Sequence, residues 1–320
     1  MLLAAYWYGR AGGVVAGVAA TGLFMLARGL NPAEMQGSAL AAGGFRLVTF
    51  CVAGYAFGWL VEERRELRAK VDAGERQVAE LRDLQEALAP PDLPSRPHLD
   101  LASVYVPADG GIGGDFFLVA AGPRDTTIVV VGDVAGKGLH AAKRAAYVRM
   151  GFAAAAPFQD DPCKLLELAN SNLIERAGVS DVFVTAACLV VKPREGKLSW
   201  ALAGHPAPLL LGDGREFDGV KPSYPLGIGY EIDCEAGEAD LEPGAGFVVF
   251  TDGLTEAHSR GGEQFGTQRA EELLATLRDR DPAEVVQALR SAVEHYAGGP
   301  LDDDLCLVAV RSQRSAYLAA

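Results

Sequence analysis

Apolar residues fill the first sixty positions of the chain in two long runs. The 17 residues 11–27 carry no charge and lie between Arg10 and Arg28, and residues 35–61 carry one charge, at Arg46. A helix over the first run extends about 25 Å, slightly less than a bilayer core of about 30 Å, and residues 1–9 lengthen it if Arg10 reaches the headgroups. A second span that begins near residue 43 keeps Arg46 close to one end, where a charge costs less. We therefore expect a transmembrane hairpin over residues 1–61, with helices at about 11–28 and 40–61.

The orientation of this hairpin follows from its flanking charges. Asn31 and Pro32 form a turn signal between the runs. Four basic residues follow the second run, at positions 64, 65, 68 and 70. Because basic residues remain on the cytoplasmic side, both termini and the rest of the chain are expected in the cytoplasm, with the hairpin in the inner (plasma) membrane. A buried helical hairpin of a soluble protein is one alternative. A cleaved signal peptide is another, but a basic start is missing and a second apolar run follows.

A seven-residue repeat follows the hairpin. Leucine recurs at positions 60, 67, 81 and 88, with Gly74 in the same frame, and valine occupies positions 71 and 78. The pattern predicts a helical linker over residues 62–90 that ends at Pro90 and Pro91, and it indicates a short parallel coiled coil. A homodimer through residues 60–88 is therefore possible. The alternative is a single amphipathic helix that packs on the following domain.

The periodicity changes again after residue 90. Short apolar runs predict strands at residues 101–106, 115–120, 126–131, 182–191, 197–203, 247–250 and 305–310. Helical patterns occur at residues 139–156, 162–177, 267–277 and 282–296. Strands cluster with strands and helices come in pairs, which favours an α+β domain with antiparallel sheets over residues 91–312, followed by a tail at 313–320.

Composition and charge narrow the class of protein and its expected partners. The chain has 320 residues, of which 49% are hydrophobic and 22% charged, as in ordinary folded proteins. Residues 1–90 carry nine basic and nine acidic residues, so the net charge of −13 falls on residues 91–320. Since a nucleic-acid binder needs a basic face, nucleic acid is not an expected partner. The five cysteines are scattered without metal-ligand spacing and are expected to be reduced thiols of a cytoplasmic domain.

Aspartates recur beside glycine at the ends of the predicted strands. Three motifs show this pattern: Gly-Gly-Asp at 113–115, Gly-Asp at 132–133 and Thr-Asp-Gly at 251–253. A fourth acidic motif, Asp-Asp-Asp at 302–304, precedes the last strand without an adjacent glycine. Glycine lets backbone approach a ligand closely, and gathered carboxylates hold hard divalent cations. Asp-Gly is also a common turn sequence, so each motif alone is ambiguous. Taken together the motifs favour a metal site, because the charges would otherwise repel one another.

The order of the motifs resembles the SpoIIE/RsbU branch of the metal-dependent, type-2C (PPM) serine/threonine phosphatases. The matching motifs are Leu-Gln-x-x-Leu at 84–88, Pro-Ala at 107–108, Gly-Gly-Asp-Phe-Phe at 113–117, Gly-Asp-Val-Ala-Gly-Lys-Gly at 132–138, Phe-Val-Thr-Ala at 183–186, Ala-Gly-His-Pro at 203–206, Pro-Leu-Gly at 225–227, Thr-Asp-Gly-Leu-Thr-Glu-Ala at 251–257 and Asp-Asp-Asp at 302–304. They span nearly all of residues 91–312. The resemblance implies a four-layer α-β-β-α sandwich with a two-metal centre between the sheets.

The resemblance also implies a ligand set for two divalent cations, Mn²⁺ or Mg²⁺. Asp133 matches the aspartate that bridges both metals, and the backbone carbonyl of Val134 joins it. The remaining acidic positions of the family match Asp115, Asp252 and Asp303, with Asp304 as the alternative to Asp303.

Two further residues of these motifs carry candidate roles. Lys137 contacts the substrate phosphate or is simply a solvated lysine, and His205 aids proton transfer or is a structural histidine at a strand turn. Three positions depart from the usual family pattern, Leu118 in place of Asp, Ala135 in place of Ser, and Cys306 near a usual Thr. None of these departures removes a core carboxylate, so activity is still expected.

The implied activity is hydrolysis of phosphoserine or phosphothreonine by attack of a metal-activated water. By resemblance the substrate is a phosphorylated regulatory protein, such as an anti-sigma-factor antagonist. Two alternatives without catalysis stay open at this point: a metal-binding pseudophosphatase that docks a partner, and a membrane signalling scaffold.

Overall fold

The computed structural model describes residues 2–29, 38–88, 93–96, 98–108, 113–179 and 182–313. The chain divides into two compact units, Met1–Glu80 and Leu81–Ala320. The turn predicted at Asn31 and Pro32 and the helix end predicted at Pro90 and Pro91 lie outside the described residues, as does the tail beyond residue 313.

Two helices, α1 (Leu2–Gly29) and α2 (Ser38–Leu88), form the first unit. Both contain a stretch that is long and apolar enough to cross a membrane, Tyr6–Ala27 in α1 and Gly44–Arg68 in α2. Only 17% and 11% of these stretches is buried within the protein, whereas a hairpin in the core of a soluble protein would bury most of its apolar surface. Helix α2 continues without a break to Leu88, so the predicted linker begins in the same helix as the second span.

Glycines let the two helices approach closely. Gly9, Gly13 and Gly17 recur every four residues on α1, and Gly54 and Gly58 do so on α2. A Cβ atom at Gly54 would overlap the carbonyl of Gly13, and one at Gly58 would lie 2.6 Å from the carbonyl oxygen of Gly9. Small residues at four-residue spacing are typical of packing between membrane helices, where apolar burial supplies no driving force and close contact must hold the helices together.

A kink at Gly9 and an ion pair close one end of the hairpin. Gly9 has φ +64°, and the backbone N–H of the next residue, Arg10, donates to Glu62 at 2.9 Å. The guanidinium of Arg10 lies 2.5 Å from the same carboxylate. Glu62 therefore caps the part of α1 that follows the kink and also neutralises Arg10. Exposed aromatic side chains at this end are Tyr6, Trp7, Tyr8 and Trp59, which is the composition of a membrane–water interface.

The second unit contains nine strands and four helices among the described residues. The strands are β1 (Leu99–Val106), β2 (Phe116–Ala121), β3 (Thr127–Val134), β4 (Val184–Lys192), β5 (Lys197–Ala203), β6 (Leu209–Leu210), β7 (Gly237–Asp240), β8 (Gly246–Phe250) and β9 (Leu305–Ser312). The helices are α3 (Leu139–Ala155), α4 (Pro162–Ala177), α5 (Gly266–Thr276) and α6 (Pro282–Ala297).

The strands form two antiparallel sheets that pack face to face. One sheet has the order β1-β9-β8-β6 and the other β2-β3-β4-β5-β7. Side chains such as Val129, Leu189, Phe247 and Val308 fill the space between the sheets. A second core joins β3 and β4 to α3 and α4, and a third joins β8 and β9 to α5 and α6. These three cores define the predicted four-layer α-β-β-α sandwich, so the predicted fold class is confirmed.

Each predicted strand and helix of this unit is present, with ends shifted by three residues or fewer. Strands β6 and β7 are absent from the prediction. Strand β6 has two residues, and β7 reads Gly-Glu-Ala-Asp at an exposed sheet edge, so neither shows the alternating apolar pattern from which strands are recognised.

The expectation of five reduced thiols is wrong for two of the cysteines. Cys163, in the first turn of α4, forms a disulfide with Cys234, and their Cα atoms are 5.7 Å apart. The pair is separated by 71 residues, so spacing along the chain gave no signal of it. Cys188 and Cys306 are free and buried, as expected.

The close approach of the two hairpin helices makes a prediction for Gly54. In Gly54→Val the new side chain overlaps the Gly13 backbone, and such overpacking costs about 1–3 kcal/mol. We expect amide hydrogen exchange over residues 10–20 to accelerate about tenfold in the full chain in lipid nanodiscs. Gly44→Val is the matched control, since a Cβ there has no neighbour within 4 Å. Equal exchange in the two variants would show that this contact does not hold the hairpin.

Candidate metal centre

The topology brings the acidic motifs to one end of the sandwich. Asp115 directly precedes β2, and Asp133 lies near the end of β3, which pairs antiparallel with β2 through Phe116 and Gly132. On the other sheet, Asp252 follows β8, and Asp303 and Asp304 precede β9, which pairs antiparallel with β8. In an antiparallel pair the start of one strand adjoins the end of the next. Four separate motifs therefore meet where the two sheets face each other.

One hydrogen bond links the two halves of this cluster directly. The Thr251 hydroxyl, at the end of β8, donates to Asp115 at 2.5 Å, and it accepts from the backbone N–H of Cys306 at 3.0 Å. Thr251 and Asp115 are both buried. The hydroxyl thus orients Asp115 of one sheet from a strand end of the other.

A glycine keeps space open beside Asp133 and the Val134 carbonyl. A Cβ at Gly114 would lie 2.7 Å from the Val134 carbonyl oxygen and 3.1 Å from Asp133 Oδ1. Both oxygens therefore face a gap that any larger residue would fill. The two oxygens are the ones that the resemblance assigns to the bridging position.

The two aspartates before β9 have different surroundings. Asp304 is buried, and its Oδ1 accepts from the backbone N–H of Ala108 at 2.8 Å. Asp303 is exposed and pairs with Lys137 at 3.2 Å, while Lys137 also donates to the carbonyl of Asp302 at 2.8 Å. Lys137 is thus held at the edge of the acidic cluster by two contacts rather than being freely solvated.

Burial and mutual repulsion disfavour the charged form of these carboxyl groups. Burial, followed by the charge of Asp133, raises the pKa of Asp115 well above its usual range. Burial, followed by the charge of Asp252, raises the pKa of Asp133 to about 6. The pKa of Asp252 is raised by burial and then by Glu256, and that of Asp304 by burial first, with Asp303 adding a smaller repulsion. A divalent cation would relieve this repulsion and restore the charged forms.

These groups fit a pair of hard cations by their chemistry. Carboxylate and carbonyl oxygens are the ligands that Mg²⁺ and Mn²⁺ prefer, and any side chain at position 114 would crowd two of them. Across the described residues, no group of three or more acidic, histidine or cysteine side chains is placed so that it could hold a metal ion without movement.

A cavity of about 370 Å³ adjoins the cluster. It is lined by Asp133, Thr185, Gly204, His205, Pro206, Pro222, Asp252 and Glu256. Its size is sufficient for a phosphorylated side chain, and two of the predicted metal ligands lie in its wall.

His205 connects the two sheets under this cavity. Its Nε2 lies 3.0 Å from the carbonyl oxygen of Phe250, and its Nδ1 lies 2.8 Å from the hydroxyl of Thr185. Because a carbonyl only accepts, Nε2 carries the proton and Nδ1 accepts from Thr185. Thr185 pairs with Asp133 across the sheet, and Phe250 lies two residues before Asp252. His205 is buried, and burial lowers its pKa to about 4, which keeps the ring neutral.

Three residues that contact the cluster were not predicted as site residues. Thr251 orients Asp115, and Thr185 holds His205. Burial, followed by the charges of Asp304 and Asp115, raises the pKa of Tyr105. Thr251 and Thr185 lie within two of the motifs named in the sequence analysis, and their place in those motifs was the signal that could have identified them. Tyr105 has no sequence signal beyond its place in β1.

The three residues that depart from the family pattern each have a clear structural role. Leu118 lies within β2, two residues past the strand start, and packs against the core under α3 and α4. The backbone N–H of Ala135 donates to the carbonyl of Phe183 at 2.9 Å, so its backbone holds the loop without a side-chain hydroxyl. Cys306 is fully buried, and its backbone N–H is the donor to Thr251.

Comparison with protein families supports the same assignment. The family model of stage II sporulation protein E (SpoIIE) matches residues 123–313, more than half of the chain. Phosphoserine phosphatase RsbU of Bacillus subtilis (strain 168) is 22% identical over 259 residues, which cover 80% of this chain and 76% of RsbU. Protein IcfG of Synechocystis sp. is 24% identical over 257 residues, which cover 72% of this chain but 40% of IcfG.

Solved structures show the same fold. The RsbU and RsbW domains of Rv1364c from Mycobacterium tuberculosis match with a TM-score of 0.59 and 25% identity, over 71% of this chain and 63% of that one. The SiaA-PP2C domain of Pseudomonas aeruginosa matches with a TM-score of 0.63 and 22% identity, over 76% of this chain and 98% of that one.

The gap beside Asp133 predicts the effect of Gly114→Ala. The added Cβ meets the Val134 carbonyl and Asp133 Oδ1, so both oxygens must shift. We expect the Kd for Mn²⁺, measured by titration calorimetry on the full chain in detergent, to rise about tenfold or more. Gly299→Ala is the control, because a Cβ there has no neighbour within 4 Å. Wild-type affinity in Gly114→Ala would exclude these oxygens as ligands.

The hydrogen bonds of His205 predict a positioning role rather than proton transfer. In His205→Ala two buried hydrogen bonds are lost, at about 0.5–1.5 kcal/mol each, and the thermal midpoint should fall. Since the lowered pKa keeps the ring neutral above about pH 5, His205→Gln should retain the shape of the pH–rate profile from pH 6 to 9. Loss of one limb of that profile in His205→Gln would instead identify His205 as a proton donor or acceptor.

Proposed function

The chain belongs to the SpoIIE family of metal-dependent protein phosphatases, and on that premise we propose that it is a membrane-tethered enzyme that hydrolyses phosphoserine or phosphothreonine on a regulatory protein. The observation that carries the proposal is the cluster of aspartates, drawn from both sheets, beside a cavity that can admit a phosphorylated side chain. RsbU, a relative over most of its length, is named a phosphoserine phosphatase. An anti-sigma-factor antagonist is the kind of substrate that we propose.

We assign the residues of the cluster to two divalent cations, Mn²⁺ or Mg²⁺. Asp133 would bridge the two ions, with the Val134 carbonyl beside it. Asp115 and Asp252 would complete the ligands from the two sheets. We assign Asp303 rather than Asp304 as the remaining ligand, because Asp304 is already held by the Ala108 backbone whereas Asp303 is exposed beside Lys137.

Bound cations would supply an acidified water near neutral pH and neutralise the phosphoryl oxygens. The chain's own groups have separate tasks. Lys137, held by Asp303 and the Asp302 carbonyl, lies at the edge of the cluster, where its ammonium can attract the incoming phosphate as a point charge. Glu256 lies in the cavity wall and adds negative charge beside Asp252, which favours cation binding there. His205 keeps its proton on Nε2 and fixes the spacing between the strand ends that carry Asp133 and Asp252.

The N-terminal region is proposed to anchor this activity at the membrane. We propose a transmembrane hairpin over residues 1–61, a coiled-coil linker over 62–90 and a phosphatase domain over 91–312, with both termini cytoplasmic. The exposed apolar surface of α1 and α2 supports the anchor, and the four basic residues after the second span support the orientation. The continuity of α2 to Leu88 supports transmission of a signal through a homodimer at residues 60–88.

The assignment of Asp133 predicts loss of activity in Asp133→Asn. Removal of a group that only hydrogen-bonds to a metal ligand typically lowers metal affinity or activity by about 10–100-fold. Loss of a bridging ligand should therefore lower Mn²⁺-dependent phosphate release more than about 100-fold. The measurement uses the full chain in detergent with p-nitrophenyl phosphate. Asp302→Asn is the matched control, since it removes a charge from the same acidic motif at an exposed side chain.

Each other outcome of this assay has a distinct meaning. Equal activity in the wild type and Asp133→Asn would refute the assigned bridging role. A folded wild type that binds Mn²⁺ but releases no phosphate would be a pseudophosphatase. No thermal stabilisation by Mn²⁺ would favour the scaffold without a metal site.

A further inference from the structure

Exposed apolar side chains in the second unit concentrate on two neighbouring segments. Eight large apolar side chains are exposed among its described residues, and five of them lie within residues 179–183 and 224–230. Tyr224 and Tyr230 are 71% and 73% exposed, Ile228 is 47% exposed and Phe183 is 36% exposed. Single exposed apolar residues are common, whereas a local concentration of them marks an interaction site.

Backbone pairing places the two segments side by side. Val184 and Leu226 exchange two backbone hydrogen bonds, at 2.9 and 2.8 Å. Ser223 is buried and donates its backbone N–H to the Leu202 carbonyl at 2.8 Å, which fixes the residue before Tyr224. Phe183, Tyr224, Ile228 and Tyr230 therefore stand exposed on adjoining segments, and we call them the apolar platform.

Helix α4 holds the platform in place. The Asn170 side chain accepts from the backbone N–H of Gly227 at 2.8 Å and donates to the carbonyls of Gly229 and Tyr230 at 2.8 and 3.3 Å. The disulfide from Cys163 fixes the same loop four residues further on. A buried amide and a covalent link thus keep the loop in a conformation that leaves its largest side chains in water.

The platform continues directly from the catalytic cavity. Pro222 lines the cavity and lies two residues before Tyr224. On the other segment, the Phe183 carbonyl accepts a hydrogen bond from the backbone N–H of Ala135. Ala135 follows Val134, whose carbonyl oxygen lies beside Gly114, as does Asp133 Oδ1. A polypeptide whose phosphorylated side chain enters the cavity therefore lies next to one end of this surface.

We propose that the apolar platform docks the protein substrate, by contact with apolar side chains that flank the phosphorylated serine or threonine. The position beside the catalytic cavity favours this occupant, whereas the net charge of −13 on residues 91–320 repels a phosphorylated partner at long range. None of the four platform side chains is acidic, so apolar contact offers the attraction that the charge does not. The inference rests on the proposed phosphatase function and adds the substrate's local sequence to it.

The test compares two synthetic phosphoserine peptides of equal length with p-nitrophenyl phosphate. One peptide has Leu and Phe beside the phosphoserine, and the other has Ser at those positions. The full chain in detergent with Mn²⁺ should show a kcat/KM about tenfold higher for the apolar peptide. The variant Tyr224→Ser/Tyr230→Ser should lose this preference through KM and keep wild-type turnover of p-nitrophenyl phosphate. Both tyrosines are mostly exposed, so their removal leaves the core intact.

A matched control removes equally exposed apolar groups elsewhere. Phe158 is 85% and Leu168 50% exposed, and both line a separate cavity between α3 and α4. Phe158→Ser/Leu168→Ser should keep the preference for the apolar peptide. In Cys163→Ser/Cys234→Ser, where only the loop anchor is lost, the preference should fall by a smaller factor than in the tyrosine variant.

Binding is measured in parallel, so that the platform is tested whether or not turnover occurs. Fluorescein-labelled copies of the two peptides are titrated with the Asp133→Asn full chain, and anisotropy should give about tenfold tighter binding of the apolar peptide, lost with the two tyrosines. Equal affinity for both peptides, or an equal loss in the Phe158 and Leu168 control, would overturn the docking proposal. Absent turnover of p-nitrophenyl phosphate by the wild type would refute the phosphatase function alone.

Discussion

Like charges held at the meeting point of two sheets are the constraint on which the catalytic unit depends. Asp115 and Asp133 lie at strand ends of one sheet and Asp252 at a strand end of the other, and burial makes the charged forms of these three carboxyl groups costly. A sandwich could tolerate this arrangement only if the strand ends are held in register and a cation is available to compensate the charge. The first condition is visible in the hydrogen bonds that cross between the sheets.

Two polar connections keep the sheets aligned at this end. Thr251 donates to Asp115, and His205 joins Thr185 to the Phe250 carbonyl. Each connection starts beside a proposed ligand on one sheet and ends beside one on the other. The apolar core between the sheets supplies most of the stability, but apolar packing alone does not fix a carboxylate to within the tolerance of a metal site. The hydroxyls of Thr251 and Thr185 and the neutral imidazole of His205 supply that precision.

The sequence was sufficient for the order of elements and for the positions of the acidic residues along the strands. Alternating β-branched runs and glycine-flanked aspartates are local signals, so β1–β5, β8, β9 and all four helices of the second unit could be predicted. Contacts between distant residues could not. Thr251 reaches Asp115 across 136 residues and Cys163 reaches Cys234 across 71, and neither distance is encoded in a local pattern. The glycine spacing in the hairpin was readable in principle, but its meaning depends on which faces of α1 and α2 meet.

The most direct test of the proposed two-metal centre is diffraction from crystals of the protein grown with Mn²⁺, measured at the manganese absorption edge. We expect two anomalous peaks that share Asp133, one of them also within the usual coordination range of about 2.0–2.6 Å from the Val134 carbonyl oxygen. Peaks that avoid Asp133, or no peak between the strand ends of a correctly folded sandwich, would contradict the two-metal centre and with it the proposed chemistry.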